Sequence, residues 1–193
     1  MNIPLFPLNT VLYPDGLLPL RIFEPRYLDM ISECLKSKRG FGICLISQGK
    51  ETGRPPKIHP VGTLATIVDF QTNDDGLLGI TVAGGRRFRV LNTSVSNNQL
   101  LRGEVETLDH QEDEILPAQY QLLSNMLRQV LEKFDLEYGD QHERLQDPYW
   151  VGSRLAELLP IELADRQKLL EMDGPVERLD YLQRLIADME IED

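Results

Sequence analysis

The sequence predicts an α+β fold, in which a β-rich unit of residues 1–110 is followed by a helical unit of residues 111–193. Short β-branched runs separated by turn residues occupy the first unit, and apolar residues recur at helical spacing through the second. The charge divides at the same place, because the first unit has a net charge of +1 and the second of −12, for a total of −11. The segment HQEDEILP (110–117) joins the two units.

Four apolar runs predict strands in the first unit. IPLFPL (3–8) and LLPLRIF (17–23) contain prolines, which lack a ladder N–H, so we expect these strands at edges or bends of the sheet. GFGICLIS (40–47) and VGTLATIVDF (61–70) are β-branched enough to form buried strands. GKETGRPPK (49–57) separates the last two runs and is a loop by composition.

The next predicted strands begin with a hairpin. Asp75-Gly76 is a strong turn signal between VGTLATIVDF and LLGITVA (77–83). The stretch GGRRFRV (84–90) follows, and its glycines and arginines leave a phosphate-binding loop, a nucleic-acid contact and a strand as alternatives. The P-loop pattern is excluded because no Lys-Ser or Lys-Thr pair follows the glycines. We therefore interpret GGRRFRV as a strand.

Alternation along this strand predicts which side chains are buried. The residues expected on the inner face are Ile80, Val82, Phe88 and Val90. Arg87 and Arg89 then point to the other face, where we expect them to be solvated or ion-paired. Gly84-Gly85 suits a bulge or a tight bend that needs a positive φ.

One helix is predicted inside the β-rich unit, from Pro25 to Ser37. Proline suits the first helical position. Leu28, Ile31 and Leu35 share one face at spacings of three and four, and we expect this face to pack on the sheet.

Four helices are predicted in the second unit. The first runs from Pro117 to Phe134, and the second begins at Asp147-Pro148, where aspartate caps the helix and proline occupies its first turn. A short helix spans Glu162 to Glu171, and the last starts near Gly174-Pro175. The apolar residues at helical spacing are Tyr120, Leu123, Leu127, Val130 or Leu131, Phe134, Trp150, Val151, Leu155, Leu158, Leu159, Leu179, Leu182, Ile186 and Met189.

The sequence contains no residue pattern for catalysis, a metal or a cofactor. His59, His110 and His142 stand apart, and HERLQ (142–146) lacks the second histidine of a zinc-binding helix. Cys34 lies on the apolar side of the predicted helix and Cys44 within a strand, so we interpret both as buried structural thiols. We therefore predict no metal, no cofactor and no catalytic residue.

Composition indicates where the protein acts and which partners are disfavoured. No uncharged apolar run approaches the ~18 to 20 residues that span a bilayer, and the start, MNIPLFPLNT, does not resemble a secretory signal. We therefore expect a cytoplasmic protein that does not bind membranes. Its acidic charge also disfavours nucleic acid as a partner.

Glu24, immediately before the predicted helix, is the most informative acidic residue. We predict that it caps the helix or pairs with an arginine, with Arg21, Arg26 and Arg87 as the alternatives. The pair Glu24–Arg87 is the candidate structural ion pair.

Five segments, taken in order, identify a known family. They are PLFPLNTVLYPDGLLPLRIFEPRYLDMI, VGTLATIVDF, GITVAGGRRFRVL, LRGEVETL and LLPIELADRQKLLEMDGPVERLDYLQRLI. Together they resemble the amino-terminal substrate-binding domain of the ATP-dependent protease Lon over nearly the whole chain. The resemblance implies a PUA-like β-barrel of about six strands plus a helix over residues 1–110, followed by an α-helical bundle over residues 111–193.

The resemblance does not extend to the catalytic parts of Lon, which cleaves polypeptides with an ATPase module and a Ser-Lys pair. This sequence contains no Walker loop. In MDGPVE, Val176 stands where the nucleophilic serine would be, and no lysine follows it. We therefore expect a stand-alone, non-catalytic domain and not an enzyme.

The resemblance implies a module that binds unfolded polypeptides or a specific protein partner, through apolar surface and an open strand edge. The candidate polypeptide-binding residues are Phe6, Leu8, Leu17, Leu18, Phe23 and Tyr27. The alternative is RNA or small-ligand binding through the barrel. The basic residues for that alternative are Arg86, Arg87, Arg89 and Arg102. The sequence also leaves open a homodimer.

Overall fold

The computed structural model describes residues 1–72, 76–108, 115–134 and 144–192. The chain divides into two units, Met1–Asp109 and His110–Asp193. The first is mostly β-structure and the second is helical, so the predicted α+β class is confirmed. Part of the predicted joining segment, residues 110–114, lies outside the described residues.

Seven strands and one helix make up the described part of the first unit. The elements are β1 (Asn2–Leu8), β2 (Leu17–Ile22), α1 (Pro25–Ser37), β3 (Phe41–Gln48), β4 (Lys57–Ile58), β5 (Val61–Thr72), β6 (Leu78–Val95) and β7 (Leu101–Thr107). Two of these strands are not predicted from the residue patterns, namely the two-residue β4, which pairs with the end of β3, and β7, which pairs with β1 and β6.

Five of these strands are hydrogen-bonded in a cyclic order. β1 pairs with β7, β7 with β6, β6 with β5 and β5 with β3, and β3 returns to β1 in a parallel pairing. For β1, the predicted edge or bend holds only half by half, because the first half of the strand pairs with β7 and the second half pairs with β3. Pro4 and Pro7 are tolerated because each lies in a half that pairs with only one described strand, so a missing N–H can face away from the ladder.

β2 is an edge strand, as its proline predicts. It pairs with β6 from Leu17 opposite Ala83 to Ile22 opposite Leu78, and no other described strand pairs with it. Its side chains alternate between the core and solvent, with Ile22 buried and Leu17 exposed. β2 therefore leaves one edge of the sheet open.

Helix α1 has the predicted bounds but packs with a different face. Its buried residues are Arg26, Tyr27, Met30, Ile31 and Cys34. Leu28 and Leu35 are 41% and 48% exposed, so their predicted burial is wrong. Each helical residue is rotated by about 100° from the last, so Leu28 and Leu35 lie at the margin of a buried stripe that contains Tyr27, Met30, Ile31 and Cys34.

β5 is buried along its first half only, which corrects the prediction of a buried strand. Val61 and Ala65 are buried, whereas Val68 and Phe70 are 55% and 48% exposed. The second half of β5 pairs with the part of β6 that also pairs with β2, outside the cyclic order. The pairing of Thr72 with Leu78 confirms the predicted hairpin, although Asp75 of the turn lies outside the described residues.

The strand over GGRRFRV is confirmed, but the orientation predicted for Arg87 is wrong. Arg87 is only 1% exposed, and Phe88 beside it is fully buried. The ladder shifts register here, since Thr63 pairs with Arg87 but Ala65 pairs with Gly84. Such a bulge re-aims the side chains that follow it. The predicted bulge is therefore confirmed, whereas the glycines do not have the predicted positive φ.

The second unit consists of helices in its described part. A 3-10 turn (Ala118–Tyr120) leads into α2 (Gln121–Lys133), and three further helices follow, α3 (Pro148–Leu158), α4 (Leu163–Glu171) and α5 (Pro175–Glu192). Among the described helices, none is long and apolar enough to cross a bilayer. Phe134 is 62% exposed, contrary to its predicted place on the buried face, because α2 ends one residue earlier.

A buried arginine links three helices of the second unit. Arg178 of α5 donates from Nε to the Leu169 carbonyl at 2.9 Å and from a terminal nitrogen to the Met172 carbonyl at 2.8 Å. Its guanidinium also lies 4.6 Å from the centre of the Tyr149 ring in α3. These bonds satisfy carbonyls that the end of α4 leaves without helical partners.

The aspartate predicted to cap α3 does so. Asp147 Oδ1 accepts from the backbone N–H groups of Tyr149 at 2.8 Å and Trp150 at 3.2 Å. Replacing Asp147 by alanine leaves both donors without this acceptor, and we expect a loss of about 1 kcal/mol in the free energy of unfolding. Urea denaturation followed by the fluorescence of Trp150 measures it, and asparagine, which retains an acceptor, should recover most of the loss.

Candidate polypeptide-binding site

A cleft of about 250 Å³ opens in the first unit beside the exposed edge strand. β1 and the first turn of α1 supply its apolar floor, the end of β2 supplies one wall, and the loop after β3 supplies the other. The cleft is smaller than the roughly 300 Å³ at which pockets for drug-sized ligands begin. Its size suits one large side chain.

Aromatic stacking makes the floor rigid. The rings of Phe6 and Tyr27 have centroids 4.0 Å apart at 27°, and Phe6 also lies 6.1 Å from Phe41 in a tilted arrangement. Burial raises the pKa of the Tyr27 hydroxyl to about 12, so this group is neutral at physiological pH. The floor presents apolar rings and no charge of its own.

Phe23 stands at the entrance of this cleft. It follows Ile22, the last residue of β2, which is 1% exposed, and it is itself 55% exposed. The strand ends at Ile22, and the chain then turns into α1, which begins at Pro25. An aromatic side chain held in solvent beside an apolar depression is typical of a binding surface.

Arg26 holds the loop wall in place. Its guanidinium donates to the carbonyls of Gly53 at 2.8 Å, Glu51 at 3.2 Å and Gln99 at 3.2 Å, and it lies 3.0 Å from the Glu24 carboxylate. The side chain is only 5% exposed. One buried cation therefore ties the loop after β3 and the turn before β7 to the first turn of α1.

Glu24 occupies the N-cap position of α1, but its side chain makes no capping hydrogen bond. It pairs instead with Arg26, one of the three arginines predicted as partners, and it is 19% exposed. The pairing of Glu24 with Arg87 stays a prediction. On the opposite wall, Glu51 accepts from the backbone N–H of Asn9 at 2.6 Å.

The free edge of β2 runs along this cleft. Gly84 N–H donates to the Gly16 carbonyl at 2.8 Å, so alternation directs the backbone groups of the even-numbered residues of β2 toward β6. The backbone groups of Leu17, Pro19 and Arg21 then face away from β6. Pro19 has no N–H, so a strand added here would lack one ladder bond, a device that limits self-association.

The structure brings four of the six candidate binding residues together. Phe6, Leu8, Phe23 and Tyr27 line the cleft, whereas Leu17 and Leu18 do not. Leu17 is 48% exposed on the outer face of β2, and Leu18 packs against the core of the first unit.

Several contributors to this site were not singled out from the sequence as site residues. Arg26, Glu51 and Thr52 clamp or line the loop wall, and the lining along β2 also includes Pro19, Leu20 and Arg21. The signal in the sequence was weak, because an arginine in the first helical turn and a polar loop are ordinary surface features. They become part of the site only because the loop after β3 folds back against α1 in the tertiary structure, where Arg26 binds its carbonyls.

The structure separates the four arginines of the alternative basic patch. Arg87 is buried, and Arg102 lies 2.5 Å from the Glu33 carboxylate of α1. Arg86 and Arg89 are exposed, and Arg89 lies opposite Glu106 in the ladder. Of the four arginines, Arg87 is therefore enclosed in the fold and Arg102 is neutralised by Glu33.

Both cysteines lie in the interior, as the sequence predicted. Burial raises the pKa of the Cys34 thiol to about 11 and that of the Cys44 thiol to about 12, so neither is a thiolate at neutral pH. Among the residues that the structure describes, no group of three histidine, cysteine or acidic side chains is placed to hold a metal.

Solved structures of similar sequence share this fold. The Lon N-terminal domain protein from Xanthomonas campestris superposes with a TM-score of 0.81 at 38% identity, over 95% of this chain and 98% of that one. The N-terminal domain of Mycobacterium avium complex Lon protease superposes with a TM-score of 0.70 at 18% identity, over 97% and 99%. The second likeness concerns the fold alone.

Curated relatives are longer proteins. Lon protease 1 from Bdellovibrio bacteriovorus and Lon protease from Escherichia coli are each 26% identical to this chain, over 98% and 96% of it. The chain spans about a quarter of their length, 25% and 24%. The family model described as the ATP-dependent protease La (LON) substrate-binding domain matches residues 2–188. The chain belongs to the family of Lon substrate-binding domains.

Proposed function

We propose that this protein binds unfolded or extended polypeptides, with the cleft beside β2 as the contact for a large apolar side chain. The observation that carries the proposal is Phe23, 55% exposed at the entrance of a cleft floored by the stacked Phe6 and Tyr27. The bound segment lies along the open edge of β2 and forms hydrogen bonds with the outward-facing backbone groups there, apart from the N–H that Pro19 lacks.

The proposed architecture is a PUA-like β-barrel followed by an α-helical bundle, in subdomains of residues 1–110 and 111–193. The cyclic pairing of β1, β7, β6, β5 and β3 supports the barrel. In the helical part, the buried Trp150, Leu155, Leu179 and Leu182 support a common core.

The proposed role is recognition without catalysis, in the cytoplasm and without a cofactor. The family model that matches this chain describes a substrate-binding domain. The raised thiol pKa values of Cys34 and Cys44 also exclude these two residues as ready nucleophiles at neutral pH. The partner is an unfolded polypeptide or one specific protein. A homodimer through the β2 edge is compatible with this role.

The test is a titration of the purified protein against fluorescein-labelled casein, with anisotropy as the readout. Replacing Phe23 by serine should weaken binding about tenfold, as expected for an exposed aromatic anchor. The matched control is Phe70→Ser, because Phe70 is 48% exposed on β5 and does not line the cleft. Equal losses in both variants, or none with Phe23→Ser, would contradict the proposed site.

The same samples distinguish recognition from catalysis. Casein incubated with the protein, with and without ATP and magnesium, should stay intact on a gel, and cleavage that survives repurification would overturn the non-catalytic role. Binding of single-stranded RNA that weakens steeply with salt, in place of casein binding, would favour the alternative through Arg86 and Arg89.

A further inference from the structure

A second groove crosses the turn between α1 and β3, separate from the cleft described above. It consists of two adjoining depressions of about 430 and 270 Å³, which share Arg39, Gly40 and Thr66 in their linings. Met1, Ile3 and Leu64 line the first, and Leu35, Lys38 and Ile67 line the second. Both depressions are mainly apolar.

Among the described residues that line this groove, the only charged side chains are basic. Lys38 and Arg39 are among them, and no described carboxylate is, although the chain carries 31 acidic residues against 20 lysines and arginines. The nearby Glu33 is engaged by Arg102 at 2.5 Å. The groove is therefore a locally basic surface on a protein whose net charge is −11.

The fold does not use these two charged groups. The end of α1 is closed by backbone bonds, from Lys38 N–H to the Leu35 carbonyl at 3.4 Å and from Arg39 N–H to the Cys34 carbonyl at 3.1 Å. Ser37 Oγ adds a bond to the Glu33 carbonyl at 2.8 Å. Within the described part of the chain, neither the Lys38 ammonium nor the Arg39 guanidinium makes a side-chain hydrogen bond or ion pair.

The backbone below the groove is held firmly. A Cβ at Gly40 would lie 2.3 Å from the Ala65 carbonyl oxygen, so α1 turns into β3 directly against β5. The two basic side chains project from this constrained turn, and Leu35, 48% exposed on α1, stands beside them. Apolar walls and unpaired cations are therefore fixed next to one another.

We propose that this groove binds an extended polypeptide segment that presents large apolar side chains and acidic side chains on the same face. The apolar side chains enter the two depressions, and the carboxylates pair with Lys38 and Arg39. Side chains two residues apart in an extended peptide point the same way, which suits two adjoining depressions. An anionic membrane or nucleic acid fits less well, because the charge of the whole chain repels an extended anionic surface.

The test uses a fluorescein-labelled peptide in which leucine, phenylalanine and two glutamates occupy every second position with serine between them, and the same peptide with lysine in place of glutamate. The variant Lys38→Asn/Arg39→Gln removes both charges, and asparagine suits the left-handed backbone of Lys38, whose φ is 53°. We expect it to bind the acidic peptide about fivefold to tenfold more weakly, since each exposed ion pair contributes a few-fold.

The matched control is Lys50→Asn/Arg54→Gln, which removes the same charge from exposed loop positions outside the groove. It should bind the acidic peptide as the native protein does, and Phe23→Ser should do so too, which separates this groove from the casein site. Circular dichroism checks that each variant is folded.

Three results would overturn the proposal. The lysine peptide could bind as tightly as the glutamate peptide, the control could lose as much affinity as the groove variant, or the groove variant could retain full affinity. Binding to phosphatidylserine vesicles that depends on Lys38 and Arg39, without binding of the acidic peptide, would assign the groove to a membrane instead.

Discussion

Replacing Gly84 by alanine is expected to destabilise the first unit by about 3 kcal/mol, because overpacking against backbone cannot be relieved by rotating a side chain. A Cβ at this position would lie 2.1 Å from the Tyr13 carbonyl oxygen and 3.2 Å from Leu12 Cγ. Gly84 also lies at the bulge of β6 and bonds to Gly16. The strand cannot move away without losing that bond.

The adjacent glycine is the control. A Cβ at Gly85 would meet nothing closer than the Leu64 carbonyl oxygen at 3.5 Å, and Gly85 is exposed. We expect Gly85→Ala to change stability by less than about 1 kcal/mol, because alanine also lowers the entropy of the unfolded chain. Urea denaturation followed by circular dichroism compares the two variants, and the fluorescence of Trp150, the only tryptophan, reports the second unit. Equal midpoints would contradict the close approach at Gly84.

The second large effect is expected at Arg26. Methionine there keeps much of the side-chain volume but removes the donors to Gly53, Glu51 and Gln99 and the partner of Glu24. Breaking a buried ion pair that also satisfies carbonyls should cost about 3 kcal/mol. The loop wall of the cleft should also loosen, so casein binding should weaken.

Limited trypsin digestion tests whether the loop is released. Lys50 lies in this loop and is exposed, so cleavage after it should accelerate in the Arg26→Met variant, whereas the bond after Arg54 resists trypsin because Pro55 follows. The control is Arg89→Met, because Arg89 is exposed on β6 and a surface substitution changes stability by about 0.5 kcal/mol or less. Unchanged cleavage of the loop in Arg26→Met would show that Arg26 does not hold it.

Local patterns in the sequence were enough for several parts of the fold. The bounds of α1, the cap at Asp147 and the edge position of β2 each depend on residues close in sequence, namely a first-turn proline, a capping carboxylate and a proline that breaks a ladder. The interior positions of Cys34 and Cys44 also followed from their apolar neighbours.

Side-chain orientation was predicted less well wherever distant segments decide it. The register shift between Thr63 and Ala65 turns Arg87 inward. A prediction from alternating side chains assumes a constant register along the strand, so it could not anticipate this orientation. On α1, the aliphatic residues alone indicated the wrong face, because Leu28 and Leu35 flank a stripe that Tyr27 and Met30 dominate.

The sequence by itself determined the fold class, the order of most elements and the family, because short-range patterns and an ordered set of segments carry that information. Tertiary structure alone decided which apolar residues form a site. Phe6 and Phe23 are separated in sequence by a whole strand, and the loop at Glu51 joins them only through Arg26. A cleft is a relation between surfaces that distant parts of the chain contribute, so it exists only once the sheet has formed.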